Sequence, residues 1–336
     1  MKNQFLSVLL CAAVCFYSCK KSNQEQVEEA IYVAGIDKDS ITSNEQATVW
    51  KNENKFQKLN SPFNTFIADI YVSGKDVYAT GYSNESVRKW KVWKNNTELY
   101  TFWDSDPTSG KAIYVINDDV YAAGLITDMY SNPFKYFPVI TKNGSTLYTL
   151  TDGNDLADIT GLVVSGNDVY ASGYQGNVAK FWKNGVEQPL SNATGYRTSA
   201  LFIQGSDVYI TGTSNSSPIK IRFWKNGEST DIVTGTNDAI STSITAAGND
   251  VYICGYEITS GKSIARLWKN GIQQPLADGT KNSYAYDVAV KDNTVYVAGS
   301  ESNAVNSFSQ FATLWKNGTP VVLGKNGSRA TSIFIK

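Results

Sequence analysis

Short runs of alternating apolar and polar residues recur along the chain, and each is bounded by a turn signal. Asp207-Val208-Tyr209-Ile210-Thr211-Gly212 is one, and Ile221-Arg222-Phe223-Trp224 is another, followed by Asn226-Gly227. A period of two over four to six residues predicts half-buried strands, and Asn-Gly accepts the positive φ angles of a two-residue hairpin. No stretch of ten residues beyond the N-terminus shows helical periodicity. Two phrases repeat. Asp-Val-Tyr-x-x-Gly or a close variant recurs at Tyr32, Tyr78, Tyr121, Tyr170, Tyr209, Tyr252 and Tyr296, at gaps of 46, 43, 49, 39, 43 and 44 residues. Trp-Lys-Asn-Gly occurs in full from Trp182, Trp224, Trp268 and Trp315, is cut short after Trp50 and Trp93, and carries Ile140 in the tryptophan position.

Repeats of ~40–45 residues built from short strands are the pattern of propeller blades with four strands each. In each repeat the first phrase predicts strand B, and the second predicts strand C and its turn into strand D. The tryptophan of that turn is expected to pack between neighbouring blades. The ends of the chain complement one another. Residues 20–30 run straight into strand B of the first repeat, with no strand A before it. Ala330-Thr331-Ser332-Ile333-Phe334-Ile335 aligns with strand A of the fifth repeat and has no strand B after it. The expected fold is therefore an all-β, seven-bladed propeller over residues 31–336, with one blade assembled from both ends of the chain.

The first 18 residues read differently. One lysine precedes an apolar run over residues 5–16, too short to cross a bilayer core of about 30 Å as a helix. A secretory signal peptide is expected, followed by Ser18-Cys19, a junction at which Cys19 would receive lipid, and a polar linker over 19–30. Phe16 and Tyr17 depart from the usual residues before such a cysteine. Only Cys254 would then remain as a thiol. It lies in an apolar strand pattern, which predicts a buried, unreactive group.

The paired phrases "DVYxxGY" and "ATLWKNG" resemble those of bacterial β-propeller-repeat lipoproteins, over nearly all of residues 30–336. The resemblance implies a lipid-anchored protein of a Gram-negative envelope, at the outer membrane, and implies no particular activity. The Gly-Gly doublet of kelch repeats and the Trp-Asp of WD repeats are absent.

Net charge, −1 from 30 basic and 31 acidic residues, gives no basic surface for nucleic acid. There is no histidine, so acid–base catalysis would fall to carboxylates, tyrosine or lysine. No phosphate loop, zinc spacing or nucleophile elbow occurs, and Asp152-Gly153-Asn154-Asp155 lacks the ligand alternation of a calcium loop. No cofactor or metal is expected.

Loop lengths indicate which face meets a partner. From each Tyr to its own Trp position the spacing is 18, 15, 19, 12, 15, 16 and 19, whereas from Trp position to next Tyr it stays at 27 to 30. Variation falls in the B–C loops, which share a face with the D–A loops, and variable loops on a rigid scaffold are where recognition resides. Candidate ligand residues on that face are Tyr130, Phe134 and Tyr136 in the aromatic stretch of repeat 3, and Trp103 between repeats 2 and 3. A column at the start of strand A, expected near the channel mouth, adds Asp69 and Asp287, with Tyr284 and Tyr286 beside the latter. Lys111 and Arg329 are available there as counter-charges. Three roles are open: a non-catalytic binding or scaffold propeller with a glycan or protein ligand, a glycan-active enzyme with two facing carboxylates, or a structural subunit of an envelope complex.

Overall fold

The computed structural model describes residues 30–38, 45–59, 61–102, 107–232, 235–304 and 309–336. Cys19 and Trp103 lie outside the described residues. Twenty-eight strands form seven four-stranded antiparallel sheets, each a blade with strands A to D in sequence order from the axis outward. The exception is blade 1. There the last strand, Arg329–Ile335, pairs antiparallel with the first, Ile31–Lys38, and the sheet continues through Glu45–Lys51 to Asn54–Lys58. Blades 2 to 7 follow in order, so both ends of the described chain share one sheet and close the ring.

Each interface between blades holds one apolar cluster, and each of the seven clusters contains one tryptophan. Six come from the repeated slot: Trp50, Trp93, Trp182, Trp224, Trp268 and Trp315, all buried. Each packs against the blade before its own. Blade 3 has Ile140 in the slot, and the missing ring at the interface between blades 2 and 3 is supplied from the other side by Trp90 of blade 2. Trp90 is fully buried, lies 4.3 Å from Phe102 between ring centroids, and donates from Nε1 to Thr80 Oγ1 at 2.8 Å. A Cβ on Gly124 of blade 3 would meet the Trp90 ring at 2.7 Å, just as one on Gly299 would meet Trp315 at 2.8 Å.

The two recurring phrases grip one another across the lower face, where the A–B and C–D turns lie. In blade 5, Asn226 accepts from Val208 N and donates to Asp207, both at 2.8 Å. Lys225 pairs with Asp207 at 2.8 Å and stands over the Tyr209 ring at 5.2 Å. The same set recurs in blades 2, 3, 4 and 6, for example Lys94 with Asp76 and Tyr78, and Lys269 with Asp250 and Tyr252. Lys-Asn and Asp-Val-Tyr are thus two halves of one clamp. Their repetition answers to the fold.

The invariant glycine of the first phrase has a different cause. Every strand A carries a β-bulge near its middle, and the glycine on strand B lies beside it. A Cβ on Gly81 would come within 1.9 Å of Phe66 O, and one on Gly255 within 1.9 Å of Ile240 O. No side chain fits, because the bulge pushes strand A's carbonyl across that space.

Candidate functional site

The bulged residues themselves (Ala68, Lys111, Thr160, Ser199, Thr242, Tyr286 and Thr331) all line the central channel, in a cavity of about 170 Å³. Ligand pockets typically enclose ~300–1,000 Å³. The channel is narrower than most ligand pockets.

Asp69 and Asp287 are in this channel, at its middle and not at its mouth: each is the fifth residue of a nine-residue strand A, Thr65–Ser73 and Ser283–Lys291. They occupy equivalent places and do the same thing. Asp287 accepts from Ser243 Oγ of blade 6 at 2.6 Å and from Ile333 N of blade 1 at 2.8 Å. Asp69 accepts from Ser332 Oγ of blade 1 at 2.8 Å and from Ile113 N of blade 3 at 2.9 Å. Each also accepts from the amide after it, Val288 or Ile70. The carboxylates are staples that tie three consecutive blades apiece. The counter-charges named from the sequence pair with other groups: Lys111 lines the channel but bonds Asp158 at 2.7 Å, and Arg329 lies over the Phe66 ring.

Both residues touch the narrow channel, yet protein surrounds their carboxylates, and burial pushes Asp69 from 3.8 up to about 7. The amide of Ile113 opposes this and the neighbouring Asp287 adds to it; burial raises Asp287 as well. A raised acid keeps a proton in the fold that the unfolded chain has released between about pH 4 and pH 7. Stability should therefore fall as pH rises through that window, by up to about 4 kcal/mol for Asp69 at ~1.36 kcal/mol per unit. The lower-face aspartates such as Asp207 and Asp250 are held below 3.8 by their lysines, so they act with the opposite sign only at lower pH. The expected result is a higher melting temperature at pH 5 than at pH 8, with a flatter profile in Asp69→Asn. A wild-type profile that rises from pH 5 to pH 8 would contradict it.

Cys254 is fully buried, within 3.3 Å of Thr242 Oγ1, and burial pushes its thiol far up. It is a core residue, as its apolar neighbours in sequence indicate.

Above the channel the picture changes. Tyr256, Tyr284, Tyr286, Arg329, Phe66, Tyr82 and Arg88 form one belt along blades 6, 7, 1 and 2. Tyr256 meets Tyr284 edge-on at 5.1 Å, and Tyr284 and Tyr286 lie parallel at 6.0 Å. Burial raises the Tyr286 phenol while the charge of Arg329 pulls it down. The Arg329 guanidinium lies 5.9 Å from the Phe66 centroid, Phe66 stacks on Tyr82 at 4.8 Å, and Arg88 covers the outer side of Tyr82 at 4.5 Å. Across the mouth Arg197 stacks on Tyr174 at 4.4 Å, near Asp158 and Tyr136.

Of the other candidates, Tyr130 is 82% exposed and Phe134 51%, both on a B–C loop whose turn is capped by Asp128 through Tyr130 N and the Ser131 amide and hydroxyl. Tyr136 belongs to strand C of blade 3, Lys135–Lys142, and is half-buried. The structure joins Tyr284 and Tyr286 in one belt, and Tyr286 also lines the channel that Asp69 and Asp287 share. It adds Arg88, Phe66 and Tyr82, which sequence reasoning missed. Their signal in the sequence was faint: three of the five arginines fall at strand ends on the upper face.

In fold the chain is similar to the β-propeller domain of the Trilobed protease from Pyrococcus furiosus, with a TM-score of 0.55 and 11% identity over 89% of this chain and 93% of that one. That domain is described as having an open velcro topology. Here the two ends of the described chain pair in one sheet. It is also similar to acylaminoacyl peptidase of Pyrococcus horikoshii, with a TM-score of 0.53 and 12% identity over 88% of this chain and 50% of that one. At such identity the likeness is one of fold alone. No protein-family model and no curated protein matches the chain.

Proposed function

We propose that this protein is a non-catalytic binding propeller, held at a bacterial cell envelope by lipid on Cys19, that meets its ligand on the face of the B–C and D–A loops. The distribution of exposed apolar side chains carries this reading. Among the described residues, large exposed apolar groups fall either on the outer D strands (Phe56 and Ile272 among them) or on this upper face. Phe63, Met129, Tyr130, Phe134, Leu156 and Ile258 make up the second set, and the lower turns have none. Exposed aromatic and apolar groups gathered on one face mark an interaction surface. The channel carboxylates support a non-catalytic role, since backbone amides and serine hydroxyls already occupy them.

One set of variants tests both parts. On a glycan and peptide array, the ligands of the purified protein should be lost in Tyr130→Ala/Phe134→Ala and kept in the lower-face variant Lys94→Ala. Cys19→Ser should move the protein from the membrane fraction to the soluble one. Ligands kept by the first variant and lost by the second would place recognition on the opposite face, and unchanged fractionation would remove the anchor.

A further inference from the structure

The geometry points to an acidic saccharide as the ligand of the belt formed by Tyr256, Tyr284, Tyr286, Arg329, Phe66, Tyr82 and Arg88. This rests on the binding reading above and gives it a ligand class. All five arginines are described, and two of them, Arg222 and Arg266, pair with carboxylates, Asp231 and Glu257. Arg88, Arg197 and Arg329 meet no carboxylate among the described residues and each stacks on an aromatic ring. All three are on the upper face. A guanidinium that lies over a ring with no carboxylate beside it keeps N–H donors for a partner, and such a group can receive an oxyanion through two parallel hydrogen bonds. Arg197, across the mouth from the belt, has a buried Nε without a partner among the described residues, an unusual condition for so strong a donor.

Shape comes next. Guanidiniums stand at the outer end of the belt (Arg88) and within it (Arg329), with the Phe66–Tyr82 pair between them. Arg329 also borders a groove of about 400 Å³ lined by Lys38, Gln310 and Asn326, and Lys38 has no acidic partner either among the described residues. The belt combines flat rings, phenol hydroxyls and cations. A pyranose chain with charged substituents presents the matching features: C–H faces for the rings, hydroxyls for the phenols and anions for the arginines. A peptide would ask for apolar side-chain pockets, and the cavity beneath the belt is lined mainly by small and polar residues.

The test uses the purified full chain and two acidic polymers with their neutral counterparts: polygalacturonate against its methyl ester, and dextran sulfate against dextran. Affinity electrophoresis or calorimetry should show binding to at least one acidic polymer and at least ~10-fold weaker binding to its neutral form. The two arms separate carboxylate from sulfate recognition. Arg88→Gln and Arg329→Gln should each weaken binding about 10-fold and lower its salt dependence, with Arg88→Lys failing to restore it. Should Arg329→Gln fail to melt cooperatively, the exposed Arg88→Gln and the cross-mouth Arg197→Gln decide the matter. Equal binding of acidic and neutral polymers, binding of neither acid, or indifference to the arginine changes overturns the assignment. In any of those cases a ligand that still depends on Tyr130 and Phe134 leaves the binding reading standing, and none doing so removes both.

Discussion

Removing residues 330–336 is expected to abolish cooperative folding. The strand Arg329–Ile335 is the innermost strand of blade 1, paired with the first strand from Ile31 to Ile36. Its loss strips three kinds of contact at once. Ala330 and Ile333 are buried in the interface with blade 7, and the Phe334 ring packs 4.8 Å from Tyr71 of blade 2. Each large apolar side chain lost represents ~1.5–3 kcal/mol. The buried carboxylates of Asp69 and Asp287 also lose Ser332 Oγ and Ile333 N as donors, and an unsatisfied buried group costs about 1–3 kcal/mol, more when charged. Against a net stability of about 5–15 kcal/mol, the total is enough to unfold the ring. Thermal and urea melts of the truncated protein check it, and a cooperative transition close to that of the full chain would refute the clasp.

Trp90→Ala should be as damaging as any change in the repeated tryptophan slot, about 3–5 kcal/mol. The residue has no counterpart in the other repeats, which on sequence grounds sets it apart from the scaffold. The structure puts it in the one interface that lacks a slot tryptophan, beneath Gly124 and against Phe102. Its removal would leave a cavity that Ile140, which packs on the opposite interface, does not reach. Trp224→Ala should cost a similar amount, whereas Tyr130→Ala should change stability by less than about 1 kcal/mol. Urea midpoints of the three variants give the comparison. A silent Trp90→Ala would mean that the interface closes without it.

Blade count and hairpin positions were legible from spacing, because each depends on a local pattern repeated many times, and ring closure was legible because the two ends of the repeat array complement one another. What escaped has a common physical cause. Asp69 and Asp287 appeared to be at the channel mouth because the bulge in strand A adds a residue that no alternation of apolar and polar positions reveals. The place of Trp90 could not be read from its own repeat, because its role answers a deficiency in a different blade. The belt stayed hidden because Arg329 reaches Phe66 only after the ring closes, across more than 260 residues of sequence. Tyr284 and Tyr286 could be singled out since they flank Asp287 directly; the arginines offered no such local mark.

The clamp on the lower face has a consequence for how such a chain is assembled from copies. Lys225, Asn226, Asp207, Val208 and Tyr209 all belong to blade 5, and the matching groups in blade 6 belong to blade 6. Nothing in this lattice crosses from one blade to the next. A duplicated blade therefore arrives with this clamp complete, and it matches its neighbours through the apolar cluster around one ring-filling tryptophan and through bonds such as those of Asp69 and Asp287 along the axis. Where a copy fails to bring its own tryptophan, as in blade 3, an adjoining copy can make good the loss. The upper face does not repeat one set of contacts from blade to blade, and there the copies differ in loop length and in their bonds.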